Sequence, residues 1–160
     1  MAYPYRSILS PVQFDDPTLL ALGYAKRLAA DSGATIHLLH VVEKYPAIGE
    51  AEISENDNIR EEDESRKRLN DIASQHLADV KYQIHVLAAA PRALAKALVQ
   101  VAQQVDADLI VMKTHGRTGL AHVIVGSVTE EVVRTAPCPV LTLTSAAQQR
   151  ANHLRLNNAG

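Results

Sequence analysis

Apolar residues crowd into five short stretches, at 8–12, 35–42, 82–88, 108–112 and 140–144. Between them the spacing lengthens to the three-and-four repeat of helices. Strands alternating with helices in this way predict βαβ units and a parallel sheet. The run Leu109-Ile110-Val111-Met112 has no polar alternation, as a central strand covered on both faces requires.

The first helix is expected over 17–32. It follows the capping pair Asp15-Asp16, carries Pro17 at an early position and stops at Gly33, with Leu22, Ala25, Leu28 and Ala29 on one face. The second, over 58–78, sets acids before bases and predicts the i,i+4 pairs Glu62–Arg66, Asp63–Lys67 and Glu64–Arg68 on a solvated face. Pro91 opens a third helix, whose core face is Leu94, Leu98, Val101, Ala102 and Val105. A fourth starts at Gly126 and stops before Pro137. The segment 43–58, with Pro46 and Gly49, reads as a polar loop. Beyond Thr144 the sequence SAAQQRANHLRLNNAG has little to bury and reads as a mobile tail, leaving one domain over 1–144.

Length and composition narrow the function. A chain of 160 residues, 47% of them hydrophobic, suits one packed domain, and with no Trp and one Phe its core rests on Leu, Ile, Val and Ala. A net charge of −2 gives no electrostatic case for nucleic acid or an anionic membrane. The single Cys138 cannot close an intramolecular disulfide and reads as a small apolar residue. No run is long enough to span a membrane, and the opening MAYPYRS lacks the regions of a signal peptide, so a cytoplasmic protein is expected.

Most catalytic and metal patterns are missing. His37 and His40 are three apart on a strand, point to opposite faces and are not a metal pair. No grouping has zinc-like spacing, and neither a Walker loop, a dinucleotide fingerprint nor a nucleophile elbow is present. Asp106 and Asp108 precede the fourth strand and read as turn residues at the amino end of the sheet. With no general base set against a nucleophile, an enzyme is not expected.

The stretch from Met112 to Leu143 carries the functional signal. It joins a buried strand, a glycine-bearing loop and a helix opened by Gly126-Ser127. Free amides and the positive end of the dipole at such a helix start attract anions, and glycine allows close approach. The spacing Gly116-x9-Gly126-Ser127 resembles that of the universal stress protein family, whose nucleotide-binding members read Gly-x2-Gly-x9-Gly-Ser/Thr. The likeness runs from about Tyr3 to Thr144. It includes the opening strand Ser7-Ile8-Leu9-Ser10-Pro11-Val12, the strand Leu38-Leu39-His40-Val41-Val42 and the closing Ala136-Pro137-Cys138-Pro139-Val140.

The resemblance implies a Rossmann-like, open, twisted, five-stranded parallel sheet of order 3-2-1-4-5 with helices on both faces. It implies a stress-response regulatory protein that binds ATP or AMP, with Mg2+ accompanying ATP. The site would comprise Pro11, Val12, Gln13, Val41, Met112, Lys113, His115, Gly116, Arg117, Gly126, Ser127, Val128 and Thr129. It also implies a homodimer through the last strand, Val140 to Thr144. The chain departs from the family pattern at three places. Gln13 stands where an Asp is typical, Ala89-Ala90-Pro91 replaces Gly-x-Pro, and Lys113 replaces the first glycine of the loop. The Lys113 stem would either fill the ribose and phosphate space or swing out to pair with a phosphate. The alternative function is a dimeric interaction scaffold of the same fold that binds no nucleotide.

Overall fold

The computed structural model describes residues 5–45, 55–114, 126–144, 146 and 150. Five parallel strands are laid down in the order β3-β2-β1-β4-β5. They are β1 (Ser7–Pro11), β2 (Thr35–Glu43), β3 (Lys81–Ala89), β4 (Leu109–Lys113) and β5 (Val140–Leu143). The helices between them are α1 (Asp16–Ser32), α2 (Glu55–His76), α3 (Leu94–Gln104) and α4 (Ser127–Thr135). The expected sheet order is the observed one, and the chain reverses direction across the sheet between β1 and β4.

Alternation along the strands sorts the core into two layers. Ile8, Val12, Ile36, Leu38 and Val111 pack against Leu22 and Ala25 of α1 and Leu69, Ala73 and Leu77 on the α2 side. Leu9, Leu39, Ile110 and Met112 pack on the other face against Leu98 and Ala102 of α3 and Val132 of α4. Both faces are therefore apolar, which is why the central strands show no polar alternation. Each large aliphatic side chain taken fully out of water in this way stabilises by roughly 1.5–3 kcal/mol.

The ends of α1 are set as expected. The Asp15 carboxylate accepts from the Thr18 amide at 2.9 Å. Gly33 takes φ 76°, and its N–H closes on Ala29 O at 2.8 Å. Asp106 and Asp108 also behave as turn residues. Asp106 has φ 47°, and the Asp108 carboxylate accepts from the Arg6 amide at 2.8 Å and the Ser7 amide at 3.3 Å, tying β4 to the start of β1. Cys138 is half-buried beside the α3 and α4 layer, and burial pushes its thiol pKa up, in keeping with a packing role.

Three expectations need correction. First, α2 begins at Glu55, three residues before position 58, and ends at His76. Second, its charges pair differently from the three i,i+4 pairs. Glu62 binds Lys44 beyond the end of β2 at 3.1 Å, Glu64 binds Arg60 at 3.2 Å, and the Arg68 guanidinium lies 4.1 Å from the centre of the Phe14 ring. A helix packed on a sheet has cross-element partners that its own spacing does not reveal. Third, Pro91 opens a 3-10 turn (Pro91–Ala93), and α3 proper starts at Leu94. Most of the polar loop, residues 46–54, lies outside the described residues. So does the tail apart from Ala146 and Arg150, both exposed and helical in backbone.

Candidate functional site

A crevice opens over the carboxyl ends of β1 and β4, where the strand order reverses. It encloses a cavity of about 320 Å³. Pro11, Val12, Gln13, Val41, Met112, Lys113, Val128 and Thr129, eight of the expected site residues, line it together. Thr18, Leu39, Glu43, Leu94 and Leu98 complete the wall. Those five were missed from the sequence, although Leu39 follows from alternation on β2, and Leu94 and Leu98 follow from the core face of α3. Ala89, one of the three departures, is not on this wall. It ends β3, where its carbonyl accepts from the Lys44 amide at 2.9 Å.

The strand ends are held in place by main-chain bonds. Val12 N–H donates to Leu39 O at 2.8 Å, and Gln13 N–H to Thr18 Oγ1 at 3.4 Å. Phe14 then takes φ 58°, a left-handed conformation that costs a bulky residue roughly 1–3 kcal/mol. A stack offsets that cost. The Arg68 guanidinium lies over the Phe14 ring, and the His40 imidazole is tilted against that ring with its centroid 4.3 Å away. His40 Nδ1 lies 2.8 Å from Val12 O. A carbonyl only accepts, so that nitrogen carries the hydrogen. A second, more polar cavity of about 460 Å³ shares Gln13, Val41 and Glu43 with the crevice and includes Glu61, Glu64, Ser65 and Arg68.

On the opposite side stands α4. Its cap residue Gly126 is half-buried with φ −60° and ψ 149°, and no side chain caps the helix. That extended geometry suits any residue, so the backbone conformation itself does not call for glycine here. Val128 and Thr129 of the first turn face the cavity, while Ser127 is exposed. The cap residue of α1, Asp15, accepts from the Thr18 amide through its side chain, whereas Gly126 at the start of α4 has no side chain with which to do so. His115, Gly116 and Arg117 lie outside the described residues.

Lys113 is directed neither fully out nor across the crevice. Its Nζ pairs with Asp15 Oδ2 at 3.6 Å while its stem lines the wall. Among the described residues no group of three His, Cys, Asp or Glu side chains could hold a metal ion.

A pair of imidazoles on β2 and β3 was not foreseen. His37 Nδ1 and His85 Nε2 lie 3.0 Å apart, brought onto one face because Leu39, two residues beyond His37, is the register partner of His85. Burial lowers the pKa of both, with the neighbouring imidazole acting further on His37 and Arg66 on His85. Burial, with Arg68 adding to it, also lowers that of His40. Depressed histidine pKa values mean that the unfolded chain binds protons the folded one refuses. The associated stability is present above the ordinary histidine range and lost as pH falls through the folded values. Thermal melts from about pH 8 to about pH 5 should show a progressive fall in Tm that flattens when the three histidines are replaced by Gln; a flat wild-type profile would contradict this.

The sequence model of the universal stress protein family matches residues 4–144. Universal stress protein MJ0531 of Methanocaldococcus jannaschii is 34% identical over 144 residues, covering 87% of this chain and 82% of that protein. A universal stress family structure from Burkholderia pseudomallei superposes with TM-score 0.67 at 28% identity, covering 88% of this chain and 97% of that one. A structure of the universal stress protein from Archaeoglobus fulgidus in complex with dAMP has TM-score 0.60 at 22% identity, covering 87% and 98%, a likeness of fold.

Proposed function

This chain belongs to the universal stress protein family, and from that premise we propose that it is a stress-response regulator whose crevice binds an adenine nucleotide, ATP or AMP. The observation that carries the reading is a cavity with two chemically distinct parts at one sheet switch point. Val12, Leu39, Val41, Leu94 and Met112 offer an apolar bed for a base, while the uncapped start of α4 and the Lys113 ammonium offer positive charge for phosphate. The dAMP complex of the Archaeoglobus relative supports a ligand of the same class. Mg2+ would accompany ATP as part of the ligand. The output proposed with this binding is occupancy and not turnover.

A homodimer through β5, whose Leu141 is part-exposed at the sheet edge, is the assembly proposed with this function, and the cytoplasm its location. No helix among the described residues is long and apolar enough to cross a membrane. The rival reading, an empty scaffold, draws on the Lys113 stem in the cavity wall.

Titration with AMP, ADP and ATP, with magnesium, separates the two. Ligand at a hundred times Kd should stabilise by about 2.7 kcal/mol and raise Tm by roughly 5–10 °C. No calorimetric heat and no thermal shift at millimolar nucleotide would reject nucleotide binding and leave the scaffold.

A further inference from the structure

We propose that Lys113 and Asp15 form a charge latch that makes the crevice select phosphorylated over unphosphorylated adenine nucleosides, an inference that rests on the nucleotide reading above. The Lys113 side chain is only 15% exposed, and a charge carried on so buried a side chain is favoured by a counter-charge. Asp15 provides it at 3.6 Å and is itself 38% exposed. That separation exceeds the roughly 2.7–2.9 Å of a charge-assisted hydrogen bond, so the ammonium's three donors are not committed by it.

Asp15 is held by a second duty. While Oδ2 faces Lys113, Oδ1 accepts from the Thr18 amide and caps α1. The carboxylate is thus fixed to the helix and stays behind when the lysine turns to a guest. A neutral nucleoside meets the stem of Lys113 in the wall and gains nothing from its head. A phosphate meets the same stem but supplies oxygens to the ammonium. The obstacle is shared by all guests, whereas the attraction is reserved for those with negative charge. Asp15 acts as internal competitor, because its own charge opposes the incoming anion.

Calorimetric titration of the wild-type protein, Lys113→Met, Lys113→Arg and Asp15→Asn with adenosine and with AMP tests this. The wild-type protein should prefer AMP. Lys113→Met should reduce that preference by about tenfold or more with adenosine affinity retained, and Lys113→Arg should restore it. Asparagine caps helices as well as aspartate does, so Asp15→Asn should keep α1 intact while widening the preference severalfold. An AMP-to-adenosine ratio unmoved by Lys113→Met, or narrowed by Asp15→Asn, would overturn the latch while leaving nucleotide binding in place. Adenosine and AMP both failing to bind every form would instead remove the nucleotide reading, and the latch with it.

Discussion

Ile110→Ala is expected to cost about 3 kcal/mol and to lower Tm by about 10 °C. Ile110 has no exposed surface and sits on an interior strand of the sheet, with Leu9 and Val140 as its register partners on either side. Its face is closed by Leu98 of α3 and Val132 of α4, so the cavity left by truncation has rigid walls and cannot collapse. Ile59→Ala removes the same atoms from the outer face of α2, where the side chain is 59% exposed, and should change stability by less than about 0.5 kcal/mol. Urea unfolding with an unchanged m-value checks both; equal losses at the two positions would contradict the two-layer core.

Val41→Trp should weaken AMP binding by at least about a hundredfold while shifting Tm by only a few degrees. The cavity of about 320 Å³ is near the lower end of the range for small-molecule sites, roughly 300–1,000 Å³. An indole at Val41 would take up the volume next to Val12 and Gln13 that a base requires. The position is only half-buried at the carboxyl end of β2, so the larger ring can displace solvent with little strain on the layers beneath. Calorimetry on the folded variant is the check. Wild-type affinity in Val41→Trp would place the nucleotide somewhere other than this crevice.

What the sequence made legible was set by local physics. Apolar runs located every strand within a residue or two, most plainly in β4, whose run Leu109 to Met112 is covered on both faces and holds no polar position. Asp15 and Gly33 marked the ends of α1 because capping and a left-handed turn each demand particular side chains. Sheet order and most of the crevice wall came with the family resemblance. What escaped was long-range. Lys113 and Asp15 meet only because β4 lies beside β1, and His37 meets His85 only through the register of β2 on β3. The α2 pairs failed for the same reason: helical spacing names neighbours on one helix, whereas Lys44 and Phe14 reach Glu62 and Arg68 from the strand ends.

The gap of 3.0 Å between His37 and His85 admits a single hydrogen. If one ring supplies it, the other must receive it, so the tautomer of each imidazole is dictated by its neighbour and the distal nitrogens are fixed in the same stroke. Two strands joined otherwise by main-chain amides thereby share one side-chain nucleus, whose signature would be a scalar coupling between nitrogens on β2 and β3, kept while an added proton sits on a distal nitrogen and lost once both facing nitrogens carry hydrogen.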